Sequence, residues 1–362
     1  DDLLWLVWAL CEYVEATGEE ELCFIEEPYL SSPPLKDEEH DRYERPEKSA
    51  KSAAVLEHAR AALECCIHRG FGKHGLPYTG SGDWNDALDR VGGESVWLGW
   101  FFAYCAARFA ELLERLGADG AAHYRQYAAE AGSAADAAFN GKWYLRALYA
   151  DGEALGGGER IDSVAQSWAV LSGFGSETRA ASAMDSALFR LWDREHRLIR
   201  LLDPPYSDRE SSPGYITGYG EGFRENGGQY THGAIWLAIA ALRLGRSAEG
   251  TAMLETLLPE THEERIYQAE PFVLPADIST ARGHEGLAGW TWYTGSAGWY
   301  FRAVTRELLG LRMRDGRLYI ESPVLPEFSV CWTDDAGRTH TIERSPDGIT
   351  VDGKSYDGGG LP

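Results

Sequence analysis

The sequence predicts an all-α fold, a toroid of helical hairpins, carrying a small antiparallel β appendage at its C-terminal end. Three observations carry this expectation. Segments with apolar residues at helical spacing follow one another from the first residue to about 308. Strand-like alternation is almost absent before residue 315, so the helices have no sheet to pack on and must bury their apolar faces against each other. From about 317 the pattern changes: 317–321, 328–332, 339–343 and 348–352 alternate and are separated by Asp-Gly and Asp-Ala-Gly turns. The boundary is set here, with 1–314 as the helical domain and 315–362 as the β-rich appendage.

Residues 1–16 read as a helix that is apolar nearly all round and ends at Thr17-Gly18. Such a helix needs partners on several sides, so it is expected to lie inside a toroid whose earlier helices precede residue 1. Residues 28–50 are rich in proline and charge and read as an irregular excursion from Pro28 to Ser49. A helix near 51–68 follows, its apolar face formed by Ala54, Leu56, Ala59, Ala62, Leu63 and Ile67. Further helices are predicted near 95–116, 121–139, 162–172, 179–192, 231–244, 247–257 and 297–308. Two connections, 203–232 and 259–295, are much longer than turns, and loops of that length in a compact domain are usually functional.

Composition narrows the function. A chain of 362 residues, 44% of them hydrophobic, has material for a substantial core. Its formal charge of −23 excludes a nucleic-acid or anionic-membrane surface, because phosphate backbones require clustered Lys and Arg. Any phosphate site must then be local. Cys11, Cys23, Cys65, Cys66, Cys105 and Cys331 form no metal-ligand spacing and read as reduced thiols, which suits a cytoplasmic setting. No run reaches the roughly 18–20 apolar residues of a membrane span, and none reads as a signal peptide. Thirteen Trp and eighteen Tyr point to a large core or a carbohydrate cleft.

One stretch concentrates reactive groups: Gly82-Asp83-Trp84-Asn85-Asp86, followed by Gly93-Glu94-Ser95-Val96-Trp97-Leu98. Gly80 and Gly82 permit backbone angles that let a loop present Asp83 and Asp86 at a cavity rim. Trp84 offers a flat apolar face on which a sugar ring stacks, and Asn85 and Asp86 offer hydrogen bonds to hydroxyls. The alternative is an Asx-rich turn capping the next helix.

The Gly82–Asp86 and Gly93–Leu98 run resembles the acid-bearing motif of the glycoside hydrolase family 94 phosphorylases, with Ala87 where relatives often carry Gly. Three further runs are similar to family segments in the same order: 161–173, 225–232 and 292–299. The resemblance covers residues 1 to about 355. It implies an N-terminally truncated (α/α)6 toroid and assigns Asp86 as general acid. It places Asp2, directly before Leu3-Leu4, at the sugar in subsite −1, where a plain helix cap is the other reading. It assigns phosphate to His232 and to Thr294, Gly295 and Ser296, and a place near the acceptor sugar to Arg224, beside Glu225. Gln166 either lines the cleft or belongs to the core. Within the family, Pro204-Pro205, Pro213–Ile216 and Arg224–His232 look most like the phosphorylase-type domain at the end of cyclic β-1,2-glucan synthases.

The chemistry is consistent with those parts. An inverting hydrolase needs a second carboxylate to activate water. A phosphorylase needs none, because phosphate is itself the nucleophile, so the protein must instead supply donors that cradle an anion. His232 after Gly227-Gly228, and the Thr294-Gly295-Ser296 turn opening a helix, offer such donors, although both also read as ordinary structural residues. The expected activity is inverting phosphorolysis of a β-linked gluco-oligosaccharide to α-glucose 1-phosphate and a shortened acceptor, with inorganic phosphate as co-substrate and neither cofactor nor metal. No nucleic-acid partner is expected; upstream domains of a longer chain, membrane-bound in a synthase, and a homodimer are both compatible. The alternatives are an inverting β-glucan hydrolase, with Glu225, Glu94 or Glu270 as base, and a non-catalytic glucan-binding domain. The arginines that complete the phosphate site in relatives fall upstream of Asp1. Residues 1–362 alone are accordingly expected to be poorly soluble and inactive, and a chain extended through those arginines soluble and active; purifying both and measuring α-glucose 1-phosphate release checks this.

Overall fold

The computed structural model describes residues 1–36, 39, 42–207, 213–292 and 295–361. Helices dominate. In chain order they are α1 (Asp2–Thr17), α2 (Val55–Arg69), α3 (Val96–Arg115), α4 (Ala121–Ala137), α5 (Ser163–Leu171), α6 (Glu177–Arg190), α7 (Thr231–Arg243), α8 (Ser247–Thr256), the single turn α9 (Glu264–Tyr267) and α10 (Ser296–Arg302), which continues as a π-helix over Ala303–Leu308. Four hairpins, α1/α2, α3/α4, α5/α6 and α7/α8, pack side by side through their first helices, and α10 packs on α7.

Each of the helices α1, α3, α5, α7 and α10 sends one indole toward a common axis. Trp236 lies at its centre, with ring centroids 6.4 Å from Trp5, 6.3 Å from Trp97, 5.3 Å from Trp168 and 5.5 Å from Trp299. Trp97, Trp168 and Trp236 are fully buried, so the axis is packed with aromatic rings at this level. The ring closes between α10 and α1: Trp299 meets Trp8 at 5.5 Å, and Glu12 accepts from Arg302 and Arg306, 2.8 Å each. Tyr104 of α3 donates to the other oxygen of Glu12 at 3.0 Å.

Two expectations need correction. The segment before α2 is a hairpin, β1 (Glu26–Ser31) against β2 (Glu47–Ala54), antiparallel with a register shift between Pro28 and Leu30. Pairing with a distant strand overrides the helical preference of Ala53 and Ala54, and the helix starts at Val55. Second, α3 is long and apolar enough to cross a membrane, a run the sequence reading missed; Trp97, Trp100, Phe101, Phe102 and Phe109 are nevertheless buried within the fold. The apolar surround of α1 is only partly covered, in line with its expected need for further partners: Leu3 and Leu6 are each 42% exposed while Leu4, Val7, Leu10 and Val14 are buried.

The C-terminal strands are antiparallel as predicted. Phe328–Thr333, Thr339–Ser345, Gly348–Val351 and Lys354–Ser355 form one meander. A separate hairpin pairs Leu311–Arg314 with Arg317–Ile320, straddling residue 314/315, and its turn is bonded to the end of α1 through Asp315 N–H to the Glu15 carbonyl.

Burial raises the Glu12 carboxyl, but the bonds and charge of Arg302 and then Arg306 outweigh it and bring it to about 2. Its folded value therefore lies below the unfolded one, so its stabilisation is present above about pH 4.5 and is lost as pH falls through about 2. Glu12→Gln is expected to lower unfolding free energy at pH 7 by about 2 kcal/mol, with the gap from the unmodified protein narrowing on acidification below pH ~4.5. Urea unfolding of both proteins across that range is the measurement; a gap independent of pH would contradict the assignment.

Candidate active site

The loop that carries the two aspartates is anchored before it presents anything. Thr79 N–H donates to the Gly93 carbonyl and Ser95 N–H to that of Pro77, 2.9 Å each. Gly80 and Gly82 take φ values of 61° and 131°, as the loop was expected to require. Asp83 then turns inward and is 2% exposed. It accepts from both terminal nitrogens of Arg146 (2.5 and 2.7 Å), from Ser95 Oγ (2.6 Å) and from Asn85 N–H (3.0 Å). Arg146 also faces Asp162 (Nε–Oδ2 3.3 Å), whose Oδ1 accepts from Val164 N–H and caps α5.

Two buried carboxylates thus share one buried guanidinium. Burial is the largest influence on both and pushes both upward. For Asp83 the bidentate Arg146 overcomes it, and the carboxyl ends below its ordinary value. For Asp162 burial prevails, and the carboxyl is pushed up to about 6.

Asn85 accepts from Ala87 N–H at 3.2 Å and so caps the short 3₁₀ turn Asp86–Leu88. The capping role therefore falls to Asn85. Asp86 makes no side-chain hydrogen bond among the described residues and is exposed. Protein packed around its inner side still raises its carboxyl, and the charges of Asp2 and Asp83 raise it further. Residues 213–219 cover the loop from one side: Arg90 N–H donates to the Pro213 carbonyl (2.9 Å) and Tyr215 N–H to Asp89 Oδ1 (3.0 Å). The approach is so close that a Cβ on Gly214 would lie 2.2 Å from the Ala87 carbonyl oxygen.

The two long connections form the opposite wall because a three-stranded sheet joins them. Asp277-Ile278 pairs with Gln229-Tyr230 on one side and with Ala288-Gly289 on the other. This places His232, the second residue of α7, against the acid loop. Its ring lies 5.5 Å from Trp84, 4.3 Å from Trp236 and 5.7 Å from Trp299. Burial pushes the imidazole down to about 3, so it is neutral, and its Nε2 is buried without a hydrogen-bond partner among the described residues. Trp84 packs on Tyr230 (5.5 Å) and Trp236 (5.2 Å).

The predicted residues fare differently. Asp2, Trp84, Asp86 and His232 gather around one space, with the 225–232 and 292–299 segments meeting at His232 and Trp299. Gly295 is exposed and lines a groove of about 400 Å³ with Trp8, Trp299, Arg302 and Arg306, while Ser296 is buried in the first turn of α10. Thr294 lies outside the described residues. Arg224 stacks 4.6 Å over Trp290 and faces Glu225 (3.6 Å) and Asp277 (3.4 Å). Burial raises the Glu225 carboxyl, and its Oε2 accepts no hydrogen bond among the described residues. Gln166 belongs to the core rather than to a cleft: it is fully buried, accepting from Tyr144 N–H (2.8 Å) and donating to the Tyr144 and Asp162 carbonyls (2.9 Å each).

Of the candidate bases, Glu94 is tied to His74 Nδ1 and to the His74 and Leu76 amides, and Glu270 accepts from Trp292 Nε1 at 2.9 Å. Arg146, Asp162, Tyr215 and Asp277 went unnoticed in the sequence. Only a surplus of isolated charges in apolar surroundings, as in Ala147-Leu148 after Arg146, marks such positions.

Residues 1–310 match the glycosyl hydrolase 94 superfamily catalytic domain. The chain belongs to this family. It is 39% identical to the cyclic β-(1,2)-glucan synthase NdvB of Rhizobium meliloti, over 96% of the chain and 13% of that protein. It is 29% identical to the N,N′-diacetylchitobiose phosphorylase of Vibrio proteolyticus, over 100% of the chain and 44% of that protein. It is likewise 29% identical to the solabiose phosphorylase of Paenibacillus borealis, over 90% and 42%. The chain thus spans less than half the length of these relatives. Among solved structures it resembles the GH78 rhamnosidase of Bacillus sp. GL1, with TM-score 0.59 and 14% identity over 95% of the chain and 31% of that protein, a likeness of fold. In this family 94 domain, the acid loop is held by an ion pair of its own.

The asymmetry around Arg146 is testable. Asp83→Asn is expected to destabilise the fold by about 3 kcal/mol, because it leaves a buried guanidinium without its bidentate partner. Asp162 has a folded value above the unfolded one, so its contribution is fully present below about pH 4 and is lost as pH rises through about 6. Asp162→Asn, which imitates the protonated side chain, should therefore gain on the unmodified protein between pH ~4 and ~6. Thermal unfolding of the three proteins at both ends of that interval decides, and equal losses for the two substitutions would refute the scheme.

Proposed function

We propose that this domain carries out inverting phosphorolysis of β-linked gluco-oligosaccharides, releasing α-glucose 1-phosphate and a shortened acceptor, in a helical toroid of the (α/α)6 type. The observation that carries the reading is the contrast within one loop: Asp83 is locked in an ion pair, whereas Asp86, three residues on, is unpaired, open and biased toward keeping its proton. A proton held by partial burial and by neighbouring negative charge is what a general acid requires. In the proposed reaction a phosphate oxygen attacks the anomeric carbon from the face opposite the leaving group. The carbon–oxygen bond to the acceptor breaks with inversion, and Asp86 gives its proton to the departing oxygen. Trp84 and Asp2 hold the donor sugar, and Arg224 and Glu225 contact the acceptor.

Phosphate is held by donors rather than by bulk charge. His232 suits this role because its imidazole is neutral, enclosed by three indoles and unpartnered at Nε2. Gly295 and Ser296 contribute from the start of α10, and Thr294 is assigned with them by resemblance. The phosphorylase names of two relatives and the glucan synthase name of a third support the reaction class and the glucan substrate. By the same support, the domain trims or sizes glucan chains within a larger cyclic β-1,2-glucan synthase on the cytoplasmic side.

Glu225 favours a second reading, hydrolysis, because it is a largely buried carboxylate whose pKa burial raises, with Arg224 3.6 Å from its Oε2. Phosphate dependence separates the two. Asp86→Asn is expected to lower phosphorolysis by at least about 10²-fold with glucan binding retained, and His232→Ala to raise the KM for phosphate far more than that for glucan. Sugar release that proceeds at full rate without phosphate, or Asp86→Asn with more than a tenth of the activity, would overturn the assignment.

A further inference from the structure

Beyond Arg224 the site continues onto a surface that no step of the proposed reaction uses. Three large aromatic rings are exposed there: Trp290 (58%), Trp292 (71%) and Phe272 (74%). Trp292 meets Phe272 edge to face at 6.2 Å, and its indole N–H donates to Glu270. Both tryptophans hold left-handed backbone angles, φ 55° and 63°, which bulky residues rarely adopt and which cost roughly 1–3 kcal/mol each. Beside them lies a groove of about 520 Å³ lined by Glu264, Gln268, Glu270, Trp290 and Thr291, within the ~300–1,000 Å³ of ordinary small-ligand sites.

We infer that Trp290, Trp292 and Phe272, with Gln268 and Glu270, form a distal platform that binds the remote part of a neutral glucan chain whose end occupies the catalytic cleft. The inference rests on the glucan reading of that cleft. Continuity supports it: Arg224 lies over Trp290 on one side and against Glu225 and Asp277 on the other, so the platform begins where the acceptor sugar is assigned. The chemistry of the surface fits a polyol. Flat apolar rings take the C–H faces of pyranoses, and carboxylate and amide groups next to them accept from and donate to hydroxyls. Charge excludes the obvious competitors, since Glu264 and Glu270 at the groove, on a chain of net charge −23, repel phosphorylated or acidic ligands. Exposed aromatic area of this kind is uncommon on a surface without a ligand or partner.

The platform predicts a dependence on chain length. In phosphate-free buffer, where no phosphorolysis occurs, the full natural protein should bind a long linear β-1,2-gluco-oligosaccharide more tightly than the corresponding disaccharide. Trp292→Ala should shrink that advantage roughly fivefold or more, as loss of a well-placed aromatic anchor does, and Trp292→Phe should restore most of it. Phe272→Ala supplies a second test should Trp292→Ala disturb the loop. Calorimetric titration of each protein with both sugars gives the ratio directly. A long-to-short ratio unchanged in both alanine variants would overturn the platform and leave a protein partner as the occupant of this face. Failure of Asp86→Asn to impair turnover would instead strike the catalytic reading and leave these binding ratios untouched.

Discussion

The site depends on the buried contact between Arg146 and Asp83. It connects three pieces of chain that are far apart in sequence: the acid loop, the strand after α4 and, through Asp162, the start of α5. A buried ion pair is weak support for stability, because desolvation takes back most of the Coulombic gain. Its value here is geometric. A fork of two short bonds fixes the position and the rotation of Asp83, and Trp84 and Asp86 follow from the backbone it holds. The charge that Asp83 retains then acts on Asp86 three residues away and favours its protonated form.

The second constraint is aromatic. Trp236 fills the axis of the helical ring, and Trp84 and His232 rest on it, so the floor of the cleft is the top of the core. Core packing transmits little freedom. The His232 imidazole placed on that floor inherits the rigidity of five helices, whereas the opposite wall is built on long connections stitched together by a three-stranded sheet of two-residue strands. One wall is rigid by packing and the other is held by a few hydrogen bonds.

Most of the helical fold was legible because each helix carries its own signal. The predicted 95–116, 121–139 and 231–244 became Val96–Arg115, Ala121–Ala137 and Thr231–Arg243. The β1–β2 hairpin was not legible, since its pairing partner lies some twenty residues away and its composition is that of a helix or a loop. The same divide runs through the site. Trp84 and Asp86 stand in a local motif, legible without any distant partner. The local motif could not say which aspartate is locked, because Arg146 is 63 residues away. Gln166 failed for a related reason: a polar residue within an apolar helix looks the same whether it faces a cleft or, as here, closes backbone bonds in the core.

The proposed reaction asks a strongly acidic chain to take up an anion. Cations within the fold are largely committed. Arg146 is taken by Asp83 and Asp162, Arg302 and Arg306 by Glu12, and Arg224 by Glu225 and Asp277. Against Trp84 of the acid loop stands a neutral imidazole, that of His232 at the start of α7. On the proposed reading, such neutral donors would hold phosphate without themselves stabilising the ionised form of the nearby acid. In the proposed reaction, holding the nucleophile would fall to hydrogen bonds, and favouring the protonated acid to partial burial and neighbouring negative charge.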